Sequence, residues 1–155
     1  MVKPKPIVQV ACICERFLQE PDNVISVIRV IDVVNLKQVA IPATSPDAKP
    51  SQAMVHVMDF AIVVALKAGD LTGEFRISIV MEDPKGKRVT VMNDLPVALK
   101  GDDGVNAVVR FGLPFNAPPG RYWFDVIWDS EVLTRIPLRL KREEGEQGAA
   151  LATPH

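Results

Sequence analysis

Few side chains in this 155-residue chain are of the types that do chemistry: Cys12 and Cys14, His56, and carboxylates spread over Asp22, Asp59, Asp102, Asp103 and Asp129. The two cysteines sit two apart, so in a strand both thiols point to one face. A disulfide between them has poor geometry, and a zinc site needs further Cys or His ligands that the chain lacks at usable spacing. Two reduced core thiols are expected. His56 and His155 are the only histidines. His155 falls in a polar tail, and His56 within an apolar strand reads as a packing residue. A hydrolase built on His56 with Asp59 is disfavoured, because residues three apart in a strand face opposite sides.

The phosphate and metal readings are equally thin. Gly101-Asp102-Asp103-Gly104 lacks the lysine and the following helix of a phosphate-binding loop and reads as a turn. Asp22, Asp102, Asp103 and Asp129 are candidates to gather at one end of a domain around Ca²⁺, but their spacing is unlike a dense Asp-x-Asp calcium site. No catalytic residue, cofactor or metal is therefore expected.

The aromatic residues near the end carry a clearer message. Tyr122, Trp123 and Trp128 are candidates for stacking a sugar ring, and the register of the hairpin Gly120 to Leu140 decides which of them are available. A one-residue slip turns every side chain to the other face. With Asp129-Ser130-Glu131 as a three-residue loop, Trp128 faces Val132. The inner face is then Tyr122, Phe124, Val126, Trp128, Val132, Thr134, Ile136 and Leu138. The outer face receives Trp123, Ile127, Leu133 and Pro137 around an ion pair of Asp125 with Arg135, which lie opposite one another. One outward Trp is a poor sugar platform but a good contact for another element or subunit.

The elements that must position these residues are short and apolar. Ile7 to Leu36 is apolar almost throughout, broken at Glu20-Pro21-Asp22-Asn23, which carries the turn residues of a hairpin. Its second arm, Val24 to Val34, has two apolar faces and reads as a central, fully covered strand. Residues 15–20 fit either a strand or one helical turn, since Ile13 and Phe17, or Cys14 and Leu18, are four apart. Pro42 to Pro50 is the longest internal loop. Gln52 to Ala68 reads as a long strand with a bend or bulge. Gly73 to Asp83 alternates, with Phe75, Ile77, Ile79 and Met81 inward and Glu74, Arg76 and Ser78 outward. Asp83-Pro84-Lys85-Gly86-Lys87 then turns the chain into Val89 to Met92. Val105 to Phe115 adds a strand with Val105, Ala107, Val109 and Phe111 inward.

Composition agrees with an all-β chain. Thirteen prolines against nine glycines and abundant Val and Ile suit strands and turns. With 48% hydrophobic and 24% charged residues one domain can bury a core without staples. Eighteen basic against 19 acidic residues, a net charge of -1, argue against a general nucleic-acid binder. No stretch reaches the ~20 apolar residues of a bilayer span. The start, Met1 to Pro6, followed by Ile7 to Cys14, does not make a secretory leader, because Gln9 interrupts the run and no small-residue cleavage site follows. A cytoplasmic location is expected, with residues 1–6 as an N-terminal tail, 7–140 as a single domain and the polar stretch 141–155 as a disordered tail.

Two stretches together resemble a known family: Cys14-Glu15-Arg16-Phe17-Leu18-Gln19-Glu20 followed by Val24 to Asp32, and Pro118-Pro119-Gly120-Arg121-Tyr122-Trp123-Phe124-Asp125-Val126. The pattern is similar to a family of small bacterial proteins of unknown function. These have a cysteine-plus-acid near the start and a Pro-Gly-x-Tyr hairpin closing a sandwich. The likeness covers about Ile7 to Leu140, and the longer strand Gln52 to Ala68 departs from the pattern. It implies an antiparallel β-sandwich, immunoglobulin-like in its closing hairpin, of about seven to nine strands, with no established activity and no catalytic residue to carry over. The function expected is a non-catalytic protein-interaction or self-assembly module, binding a protein partner or a second copy. Its surface is Trp123, Ile127, Leu133, Pro137, Asp125 and Arg135. The alternative is a small-ligand or carbohydrate-binding module using the loops at Asp22, Asp102 and Asp129.

Overall fold

The computed structural model describes residues 2–37 and 57–143. The nine strands among them are β1 (Ile7–Gln19), β2 (Ile25–Val30), β3 (Val33–Lys37), β4 (Val57–Lys67), β5 (Gly73–Glu82), β6 (Arg88–Leu99), β7 (Gly104–Pro114), β8 (Gly120–Trp128) and β9 (Glu131–Glu143). They form a β-sandwich of two sheets, ordered β2-β1-β4-β7 and β3-β9-β8-β5-β6. Residues 15–19 are strand. His56 and the expected loop Pro42 to Pro50 lie outside the described residues, as do 144–155. The strand β9 runs three residues beyond the expected boundary at Leu140.

The alternating sequences explain the core between the sheets. Ile77 and Ile79 of β5, Tyr122, Phe124, Val126 and Trp128 of β8, and Ile136, Leu138 and Leu140 of β9 face Ile13 of β1, Phe60, Ile62, Val64 and Leu66 of β4, and Ala107 and Val109 of β7. Phe111 stacks between the sheets on Phe60 and Phe124, at centroid distances of 5.5 and 4.7 Å. The Tyr122 hydroxyl donates to the Pro118 carbonyl at 2.8 Å, the bond known as a tyrosine corner, which ties β8 to the turn before it. Gly120 enters β8 at φ 134, where an added Cβ would lie 2.8 Å from the Pro84 ring. Only glycine fits there.

Residues 24–34 do not form one covered strand. β2 is the edge of the four-stranded sheet, with Val30 56% exposed, and the chain then changes sheets. The switch takes two residues: the Ile31 N–H donates to the Ile13 carbonyl in one sheet, and the Asp32 carbonyl accepts from Arg139 N–H in the other. β3 consequently runs parallel to β9, in a sandwich whose other pairings among the described strands are antiparallel, as expected. An apolar run is equally compatible with an edge strand followed by a crossover and with one buried strand, since both lack alternation. The central, doubly covered strand is β4, buried without interruption from Phe60 to Leu66.

β4 is buried on its second face by the β1–β2 hairpin. Past Cys14 this hairpin leaves β4, whose last partner on β1 is Cys14. It lays Phe17, Ile25 and Val27 on Cys14, Ala61, Val63 and Val108 as a small second core. Arg29, at φ 57 and paired with Glu15 at 2.9 Å, sits where the hairpin is distorted. Two contacts pin this flap to β7: the Asn106 amide donates to the Asn23 carbonyl at 2.8 Å, and the Arg110 guanidinium lies 5.1 Å from the Phe17 ring centroid. Cys12 and Cys14 are free thiols. Burial pushes both thiol pKa values up, with the charge of Asp32 adding to the effect at Cys12.

Candidate interaction surface

The outer face of the five-stranded sheet takes the odd-numbered positions of β8 and, from Arg135 onward, those of β9. Cross-strand partners there are Arg121 with Arg139, Trp123 with Pro137, Asp125 with Arg135, and Ile127 with Val132. From Gly120 to Val126 the expected register holds. The hairpin end differs: the turn is the two-residue Asp129-Ser130, both at positive φ (44° and 67°), which suits a tight hairpin turn. The additional residue is instead Leu133, bulged on β9 opposite the Val126–Ile127 step of β8. The bulge reverses two assignments. Val132, expected inside, is 48% exposed, and Leu133, expected outside, packs against the main core.

Asp125 is the centre of this face. It is only 1% exposed, yet it accepts a hydrogen bond from Arg135 Nε at 2.6 Å and another from Arg88 at 3.2 Å. Glu82, from the neighbouring β5, lies 3.4 Å from Arg88 and 3.7 Å from Arg135. Two carboxylates and two guanidinium groups thus form a closed, charge-balanced network. Burying a carboxylate is costly unless it is paired and hydrogen-bonded, and the two arginines, whose side chains remain half-exposed, meet that condition. The Asp125 hydrogen bond also raises the Arg135 pKa further above its already high ordinary value.

Trp123 lies half-buried beside this network. The Arg135 guanidinium is 4.9 Å from its ring centroid, and Arg121 is 5.7 Å away on the same face. Such cation–π contacts hold the ring in place. Ile127 is partly exposed and Pro137 exposed. The structure therefore gathers Trp123, Asp125, Ile127, Arg135 and Pro137 on one face, and separates Leu133 from them. Sequence reasoning missed Glu82, Arg88 and Arg121. A signal for the first two was present, because the alternation that points Glu74 and Arg76 outward also points Glu82 outward, and Arg88 faces it across the Asp83–Lys87 turn.

The other candidate residues are dispersed. Asp129 pairs with Lys3 at 2.9 Å and Glu131 with Lys5, so residues of the expected N-terminal tail are tied to the β8–β9 turn. Asp22 receives the Val24 N–H at 3.2 Å and closes the β1–β2 turn. Among the described residues no three Asp, Glu, His or Cys side chains converge as metal ligands. A shallow groove of about 260 Å³ lies between the flap and the β6 and β7 strands, lined by Gln19, Leu95 to Val97 and Val105 to Val108. No carboxylate lines it. No helix among the described residues is long and apolar enough to cross a membrane.

The fold and this face together define a β-sandwich domain with one sheet face bare of any described strand. Residues 9–141 match a family of unknown function (DUF6941), and the chain belongs to that family. None of the curated proteins matches the chain. Among solved structures it is similar to part of a β-glucosidase from Listeria innocua, determined in complex with isofagomine, at 14% identity and a TM-score of 0.40. That match covers 72% of this chain and 15% of the glucosidase.

Proposed function

We propose that this protein is a cytoplasmic, non-catalytic interaction module that docks a protein partner on the outer face of its five-stranded sheet, around Trp123. The observation carrying this reading is the preassembled face itself. A half-buried Trp is fixed by cations from two strands above a buried, charge-balanced Asp125 network. A rigid aromatic beside arginine, already ordered before binding, is the composition of an interface hot spot and loses little entropy on association. The absence of catalysis in this reading is supported by Asp125 being engaged by two arginines and by the two thiols having raised pKa values, which make poor nucleophiles.

The test is a photo-crosslinking amino acid placed at Pro137 in the cells that make the protein. The expected result is one product of defined mass that disappears on Trp123→Glu. A product of twice the chain mass identifies a second copy as the partner. Absence of any product, or a product untouched by Trp123→Glu, sinks the reading.

A further inference from the structure

Not every charge on this face is balanced. Arg88 and Arg135 are matched by Asp125 and Glu82, but Arg121 and Arg139 are placed directly opposite one another on β8 and β9. Both are exposed, and neither forms an ion pair with any described residue. Asp32 meets Arg139 only through its backbone carbonyl. Like charges directly opposite in a sheet destabilise it. The pair thus works against the free domain, in a chain that has more acidic than basic residues overall and that sets a carboxylate opposite arginine two cross-strand pairs along the same face, at Asp125 and Arg135.

We infer that Arg121 and Arg139 form the seat for an acidic segment of the partner protein, which places two carboxylates on the two guanidinium groups and an apolar side chain on Trp123. This rests on the docking reading above and names the chemistry of its partner. The guanidinium fork matches a carboxylate in a bidentate way. Neighbouring strands lie ~4.8 Å apart, so the two forks stand close enough for one acidic segment to engage both. An oligonucleotide is the weaker candidate, because the chain carries a net charge of -1 whereas a general nucleic-acid binder carries a strong basic excess. A second copy is also disfavoured, since a two-fold contact centred on this pair brings together the arginines of both copies, which have no carboxylate partner among the described residues.

The test uses the full chain and a short synthetic peptide in which Glu, Glu and Leu alternate with Ser, beside the same peptide with Gln for Glu and a short oligothymidylate. Binding is followed by NMR of the Trp123 indole and arginine side-chain N–H signals. The expected result is that the Glu peptide shifts Trp123, Arg121 and Arg139, binds at least tenfold more tightly than the Gln peptide, and weakens with added salt. The double variant Arg121→Gln, Arg139→Gln is expected to lose at least tenfold in affinity while its Tm rises by roughly 1–4 °C, because repulsion is relieved. Equal binding of Glu and Gln peptides at Trp123 overturns the acidic seat but leaves the docking face standing. Tighter binding of oligothymidylate, or full affinity in the double variant, also overturns it. If no peptide perturbs Trp123 and the Pro137 crosslink is absent, both readings fall.

Discussion

The four-stranded sheet has its outer face closed by its own chain, whereas among the described residues only side chains lie on the outer face of the five-stranded sheet. On the first, Ala61, Val63 and Cys14 are small and apolar and lie beneath the β1–β2 flap. On the second, the corresponding central positions of β8 hold Arg121, Trp123, Asp125 and Ile127. Small apolar residues are what a sheet presents when another element must approach closely. A charged network with one aromatic is what it presents when water, or a partner, is the neighbour. The contrast separates a face that the chain buries against itself from one that keeps charged and aromatic side chains at the surface.

The largest expected effect comes from placing the same charge on both faces. Val63→Glu buries a carboxylate beneath the flap, where its cross-strand neighbours are Cys12 and Val108, and is expected to cost upwards of about 3 kcal/mol. Trp123→Glu places it beside Arg121 and Arg135 but opposite Glu82 and is expected to cost about 1–2 kcal/mol. Urea denaturation of the two variants gives the difference directly, and similar losses would show that the two faces are not covered as unequally as their side chains indicate.

A smaller, local effect tests the flap. Phe17→Ala removes the ring that bridges Cys14, Ala61 and Val63 to Arg110, with an expected loss of about 1–3 kcal/mol, below that of a fully buried Phe. Hydrogen exchange is expected to quicken in Ile25–Val30 and not in β8 or β9. Cys14 reports the same opening. Burial first, then Cys12, raises its pKa, while Arg110 opposes, so the folded state holds the thiol proton more tightly than the unfolded state does. That contribution to stability is complete below the ordinary thiol pKa and is lost as pH rises through the raised value. Labelling of Cys14 by a thiol reagent is accordingly expected to be slow near pH 8 and to speed up at higher pH. Phe17→Ala should bring that acceleration to lower pH.

How much of this was legible in the sequence depended on whether neighbours in space were neighbours in the chain. Asp125 opposite Arg135 was readable, because one hairpin contains both and its alternation is regular. A three-residue loop and a two-residue turn with a bulge each insert one residue, so both give the same pairing from Val126 back to Gly120. They differ only at Val132 and Leu133, where the reading failed. Glu82 and Arg88 belong to another hairpin, and nothing local shows that β5 lies beside β8. The flap was hidden for a different reason. Val24 to Val34 is apolar on both faces, which signals burial, but the structure spends that apolarity unevenly: Ile25 and Val27 are covered, and Val24, Ile28 and Val30 are exposed.

The smallest effect separates the two sides of the flap within one peptide bond. Phe17 pairs with Val27 and Leu18 with Ser26, so consecutive side chains leave the hairpin in opposite directions, Phe17 onto Ala61 and Val63 and Leu18 into solvent at 54% exposure. Leu18→Lys therefore exchanges an exposed apolar side chain for a charged one without opening a cavity, and is expected to change stability by no more than about 0.5 kcal/mol. Its long methylene stem still covers the strand. Chemical denaturation measures this, and Phe17→Ala measured alongside fixes the scale. A loss at Leu18 as large as that at Phe17 would mean that the outer side of the flap is itself covered. The comparison between a closed face and an open one would then have to be redrawn.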